Sequence, residues 1–391
     1  MGHAWSLQGE HERAREVLRA VLEAAGASAD QAVLSSARQE LLRVLLQAGE
    51  LPEARRVAER LAEAELWWPR WSGLLSLAAI EAQAGDLAQA RQHLEAAQAV
   101  IEEGDEAAGR RALARTYLLS NRVTVALIGG DYALAAQHNE RLRDQAAAAE
   151  GSEQLRESEL NRAVIALRRG HLSQAREGLQ RLGEWAVLVD DQRLRALTQA
   201  FSSELLLRSG NVEGARQRAQ LALDEATRGG QPHAQVEAAL ALGQAYQAAA
   251  RTEEARYQWQ RAADQAAKLH LRRLELQARL LLAEADSAAD TNDVLEHLCR
   301  SGVEDLLVDA VVRGGPEGLK AAAEQAGQLG YFWGEHAALL RLADLDLGRG
   351  ETDEAARLAQ ARTLSQTIGA GEYPTVEAAE AEMAARLADA V

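Results

Sequence analysis

The chain has 391 residues, 43 basic against 59 acidic side chains, a net charge of -16, five prolines and one cysteine. The charge opposes direct binding to nucleic acid, the lone Cys299 rules out an internal disulfide, and no apolar stretch is long enough to span a membrane, which together predict a soluble cytoplasmic protein. Ala, Leu, Glu, Gln and Arg dominate, so the expected class is all-α. Length beyond one ordinary core then means either several domains or an elongated array.

Residues 1–18 alternate polar and charged groups with no apolar segment, so no secretory signal is read there. From Gly9 onward one turn pattern, Gly-polar-x-x-x-Ala, recurs through the chain. It pairs Gly9 with Ala14, Gly49 with Ala54, Gly85 with Ala90, Gly130 with Ala135, Gly170 with Ala175, Gly210 with Ala215 and Gly350 with Ala355. Ala250 with Ala255 is a variant lacking the glycine, and degenerate turns are expected near Asp290 and at Gly314-Gly315-Pro316. Gly26, Gly104, Gly151, Gly229-Gly230 and Gly369 fall between these turns, where helix C-caps belong, so each period of about 40 residues holds two helices. Glycine permits the tight turn, and the alanine marks where two antiparallel helices approach too closely for a larger side chain.

The pattern resembles the tetratricopeptide repeat. Its best copy is the unit in which Leu242, Gly243 and Tyr246 precede the turn and Ala255, Trp259 and Ala262 follow it. Units of this length resemble those of MalT-like and SARP-type bacterial regulators. The resemblance implies a right-handed superhelical solenoid of about ten antiparallel helix hairpins. Regular repeats are expected over residues 1–285, degenerate ones over 286–330, and a last repeat with a C-terminal capping helix over 331–391, as one continuous solenoid in which each repeat contacts only its neighbours. HEAT and armadillo units share the length but lack the turn signature.

Taken in chain order, residues 1–8 supply only half of a first helix, so the array is expected to begin mid-helix, with self-association through this incomplete repeat as one consequence. Trp67, Trp68 and Trp71 around Pro69 form an aromatic cluster that either staples neighbouring repeats or presents a pocket to a ligand. The resemblance places the inner face of the solenoid on the first helix of each hairpin. There it presents Gln39, Arg43 and Gln47, then Tyr117, Asn121 and Thr124, then Glu157, Asn161 and Arg168, continued by Glu204, Arg208, Gln244 and Gln247. Amides with interspersed arginines suit an extended peptide, because amides both donate and accept while arginine clamps carboxylates. The lysines of the clamp that chaperone-binding members use for a C-terminal acidic tail are missing. Tyr331, Phe332 and Trp333 are expected in the core, and residues 375–390 as the capping helix, inward at Val376, Ala379, Met383 and Leu387.

No catalytic or cofactor motif is found. Neither Lys268 nor Lys320 follows a glycine as a phosphate-binding loop requires, and His297 and Cys299 have no third ligand nearby, so no metal and no cofactor are expected. The functional expectation is a non-catalytic scaffold that binds a protein or peptide, the sensor or interaction part of a bacterial regulatory system. A small-molecule effector sensor of the MalT-like kind and a self-assembling scaffold are the alternatives.

Overall fold

The computed structural model describes residues 11–24, 31–103, 108–148, 152–285, 292–314, 318–349, 353–371 and 373–389. Among them are twenty α-helices and no strand. Helix α1 (His11–Ala24) stands first, and the expected helix before it, residues 1–8, lies outside the described residues. Hairpins follow in regular order: α2 and α3 (Gln31–Ala48, Leu51–Ala62), α4 and α5 (Trp67–Ala84, Leu87–Glu103), α6 and α7 (Ala108–Gly129, Tyr132–Ala148), α8 and α9 (Ser152–Arg168, Leu172–Leu188). Next come α10 and α11 (Gln192–Arg208, Val212–Arg228), α12 and α13 (Pro232–Ala248, Thr252–Lys268), α14 and α15 (Arg272–Ala285, Asn292–Ser301), α16 and α17 (Glu304–Gly314, Leu319–Leu329), and α18 and α19 (Phe332–Arg349, Glu354–Thr367). Helix α20 (Pro374–Asp389) ends the array. The two degenerate units are hairpins as well, α14 with α15 and α16 with α17.

The turn pattern has three physical parts. Gly49, Gly85, Gly130, Gly170 and Gly210 all adopt positive φ, and Ala250 takes the same left-handed conformation at φ 57 without glycine. The polar residue that follows caps the next helix: Asp86, Asp131 and Asn211 each accept a hydrogen bond from the backbone N–H three residues on, at 2.9 Å. The alanine is the packing point, fully buried at Ala14, Ala54, Ala90, Ala135, Ala175, Ala215 and Ala255. Close approach is most severe in the unit nearest the tetratricopeptide pattern, where a Cβ on Gly243 would lie 2.4 Å from Nε1 of Trp259. Ala355 departs from the expectation. It is exposed, and the last hairpin instead buries Leu358, Ala361 and Ser365 one turn further along. Helix α20 docks as expected through Val376 and Met383, with buried Glu380 accepting from Ser365 Oγ at 2.7 Å and lying 3.0 Å from Nε2 of His336.

The expectation that repeats touch only their neighbours is overturned. Equal steps along the chain rotate successive hairpins until it returns on itself, and the second half then packs on the turns of the first. The contact buries an apolar cluster that joins Leu167, Leu172 and Leu205 to Phe332, Trp333 and Val376, and capping adds to it. The last-turn carbonyls of a helix lack intrahelical donors, and here side chains from far along the sequence supply them. Arg273 Nη1 donates to the carbonyl of Ile128 at 2.9 Å, Trp333 Nε1 to that of Leu167 at 2.8 Å, and Thr375 Oγ1 to that of Arg208. Phe332 and Ile368 close over Gly170, where a Cβ would meet their carbons at 2.6 and 2.5 Å.

At the centre of this closure Arg273 holds Asp305 in a bidentate pair, both contacts 2.7 Å, and Tyr132 donates its hydroxyl to the same carboxylate. Asp305 is 2% exposed and presses against Gly130, whose missing side chain leaves it room. Burial alone pushes the Asp305 carboxyl up, but the guanidinium more than reverses this and holds it below the usual carboxylate range. Removing one partner of such a pair leaves an uncompensated buried charge. Arg273→Met is therefore expected to cost about 3 to 5 kcal/mol in urea unfolding, and the apolar double variant Arg273→Met with Asp305→Leu to recover most of it. Equal destabilisation by the single and double variants contradicts this account.

Candidate functional site

Four successive first helices, α8, α10, α12 and α14, begin at residues 152, 192, 232 and 272, a constant step of 40. Residues one such step apart therefore occupy equivalent places on the inner wall. One level carries Arg193, His233 and Arg273, the next Glu157, Leu197 and Glu237, and a third Asn161 and Phe201. With Gln83 of α4, Thr124, Leu127 and Ile128 of α6 and Tyr132 of α7, they enclose a lumen of about 310 Å³.

Its charges are unevenly matched. Arg168 is taken by Glu204 in an ion pair whose side chains are 16% and 11% exposed, and Arg273 is taken by Asp305. Glu157 and Glu237 have no such guanidinium partner among the described residues. Burial pushes the Glu157 carboxyl up, against a hydrogen bond from Ser120 and the field of Arg193. Burial likewise raises Glu237, against the fields of Arg168 and Arg273. His233 lies 3.9 Å from Glu237. Enclosure and then Arg193 push its imidazole down, although 56% of its side chain remains open to the water of the lumen, which tempers that shift. The amide Nδ2 of Asn161 is buried with no hydrogen-bond partner in the protein.

The residues expected on the inner face divide among three cavities. Thr124, Glu157, Asn161 and Arg168 line the lumen. Gln39, Trp68, Trp71, Tyr117 and Asn121 line a second cavity of about 400 Å³ between α2, α4 and α6. Glu204, Arg208, Gln244 and Gln247 line a third of about 360 Å³ beside Trp259 and Arg313. Arg43 lines none of these and pairs with Glu40 on its own helix, and the side chain of Gln47 lies outside the described residues. Asn121 and Thr124 donate back to the carbonyls of Tyr117 and Ser120, at 3.0 and 3.2 Å. Arg208 stacks on the Trp333 ring, 4.3 Å from its centroid.

The tryptophans pack between neighbouring repeats, and Trp68 and Trp71, but not Trp67, line a cavity. Trp68 and Trp71 stack with centroids 4.8 Å apart, and Trp71 meets Tyr117 of the next repeat edge-on at 6.0 Å, so they staple α4 to α6. The same rings form the wall of the second cavity, and Nε1 of Trp67 and of Trp71 are buried without partners. Tyr331, Phe332 and Trp333 are buried as expected, against the preceding hairpin at Val308, Val312 and Ala326 and also against the middle of the chain at Tyr132, Leu167 and Leu172.

Sequence reasoning missed Arg193, His233, Glu237, Leu197, Phe201 and Arg273. Counting back from each turn did not reach the opening turns that hold Arg193, His233 and Arg273, and the register of Glu157 and Asn161 was not carried forward to Leu197, Glu237 and Phe201. The constant step between first helices was the available signal, because it carries position 153 to 193, 233 and 273. Tyr132 and Asp305 carried no such signal, since only closure brings them together. Among the described residues no group of three or more His, Cys, Asp or Glu is placed to hold a metal ion, and no helix is long and apolar enough to cross a membrane.

No protein family matches the sequence, and no curated protein is significantly similar to it. Solved structures are similar to it in fold. One is NprR in complex with its cognate peptide NprX, with a TM-score of 0.58, 13% identity, and 82% of this chain and 93% of that one covered. Another is a Rap protein complexed with Competence and Sporulation Factor, with a TM-score of 0.51, 14% identity, and 91% and 97% covered. A signal-transduction ATPase with a tetratricopeptide repeat sensor from Pyrococcus horikoshii aligns at a TM-score of 0.43 and 14% identity, covering 93% of this chain and 55% of that one, too slight a likeness to argue from. The fold is that of the tetratricopeptide-like helical-repeat solenoids.

Beside the lumen, Tyr331 donates to Asp309 at 3.0 Å and its ring lies 5.7 Å from that of Tyr132. Burial, then the charge of Asp305, pushes the Asp309 carboxyl up to about 7 from its ordinary 3.8. Between those values the folded chain binds more protons than the unfolded one, so this group lowers stability as the pH rises from 3.8 towards 7. Asp309→Asn keeps an acceptor for Tyr331 and removes the charge. The melting temperature of this variant is expected to exceed that of the parent by about 2 °C at pH 8, with little difference at pH 4. A lower melting temperature at pH 8 contradicts this.

Proposed function

We propose that the chain is a non-catalytic, peptide-binding solenoid, the sensor or scaffold part of a bacterial regulatory system, and that the lumen holds an extended segment of its partner. The observation that carries this reading is the unpartnered amide of Asn161, a residue only 9% exposed, in the lumen wall beside the Phe201 ring. A buried donor left unmade is a standing cost of about 1 to 3 kcal/mol, and an extended peptide offers a carbonyl acceptor at every residue. Leu197, Phe201 and Leu274 supply apolar wall for its side chains. The Rap and NprR structures are complexes with Competence and Sporulation Factor and with a cognate peptide, and both share this fold.

Asn161→Ala separates binding from folding. Its melting temperature is expected to equal or exceed the parent's, because an orphaned donor is removed. Its affinity for peptides selected on the parent chain by phage display is expected to fall about five- to tenfold in calorimetry. Unchanged affinity rejects the lumen as the site.

A second reading, a small-molecule effector sensor of the MalT-like kind, is favoured by the cavity at Trp68, Trp71 and Tyr117 and the unpartnered indole N–H of Trp71. A ligand there at about a hundred times its Kd stabilises the fold by about 2.7 kcal/mol. Thermal-shift measurement against sugars and nucleotides is expected to find a compound whose effect Trp68→Ala abolishes. An effect that survives Trp68→Ala assigns the compound elsewhere.

A further inference from the structure

The lumen's arginines suggest a site for carboxylates, but its satisfied pairs say otherwise. Arg168 is already neutralised by Glu204, and Arg273 by Asp305, both within the closed structure. Two carboxylates remain at equivalent wall positions two repeats apart, Glu157 and Glu237, with Leu197 between them on the intervening helix. The groups that face them are Glu153 and Arg168 on α8, Arg193 and Glu204 on α10, His233 on α12 and Arg273 on α14. Of these cations, Arg193 sits at the exposed rim and makes no ion pair with either glutamate, and His233 is neutral at pH 7. Thr124 and Gln83, from α6 and α4, bring no charge.

Each of these enclosed carboxylates loses hydration with no guanidinium paired to it. A cation beside either would offset that loss, and the unpartnered Asn161 amide marks the same cavity as one that awaits a ligand. We infer that Glu157 and Glu237 form a cation-receiving subsite, so that the lumen selects peptides bearing a basic group, either a lysine or arginine side chain or the free amino terminus. This rests on the reading of the lumen as a peptide site and reverses the polarity that the arginines alone suggest.

The test uses the full chain and a synthetic hexapeptide library prepared in two forms, with free and with acetylated amino termini, sequenced after capture at pH 7, where the free terminus is charged. Enrichment of Arg and Lys within the acetylated library identifies a side chain as the cation. Capture of the free form with no such enrichment and loss of the acetylated form identifies the amino terminus. Either result supports the inference, provided that the double variant Glu157→Gln with Glu237→Gln weakens the selected peptides about tenfold or more. The same peptides are expected to bind the parent chain less tightly at pH 5 than at pH 7, because burial makes both carboxyls take up protons above the ordinary carboxylate range, and this second readout does not depend on how the variant folds. Capture of peptides without basic preference, or with Asp and Glu enriched, overturns the inference and leaves peptide binding standing. Capture of no peptide in either form overturns both.

Discussion

The capping of helix ends by side chains from the far half of the chain is the constraint on which the rest of the structure depends. Carbonyls at the ends of α6, α8 and α10 would otherwise face water at one rim of an open trough. Arg273, Trp333 and Thr375 reach them from 145, 166 and 167 residues away in sequence. Each bond is modest by itself, but together they set where the second half lies over the first. That placement makes Asp305, Arg273 and Tyr132 a buried unit, and Gly130 must be bare for it to close.

The packing of adjacent repeats sets the charge of the inner wall. Arg168 and Arg273 are each spent on an acidic partner from the next repeat, 36 residues on for Arg168 and 32 for Arg273. Enclosure by α4 through α14 then raises the cost of every charge left over. Glu157 and Glu237 are those charges, and Asn161 is the corresponding neutral group. The lumen is thus defined less by what its wall displays than by what its wall leaves unsatisfied.

Much of the architecture was legible because it is local. Gly130, Asp131 and Ala135 act through one turn, one cap and one helix contact, all within a single short stretch of chain, and the same holds at Gly85 and Gly210, whereas Gly49 and Gly170 supply the turn and the helix contact without the cap. The failures have a common cause. Ala355 fits the pattern by spacing, yet the last hairpin packs against α20 instead of another full repeat, so its buried register moves to Leu358 and Ala361. Tyr331, Phe332 and Trp333 read as core, but nothing nearby says that their partners are Leu167 and Gly170.

The sequence alone determined the helical class, the length of the repeat, the positions of the turns and the division of each helix into packed and open faces, because these follow from backbone preference and from contacts between near neighbours in the chain. Only the tertiary structure decided that the solenoid closes, which inner-face arginines are already paired, and which acidic and amide groups are left facing the lumen. Those outcomes depend on where a superhelix brings residues separated by several repeats, a position summed from small rotations at every hairpin. No single segment encodes that sum.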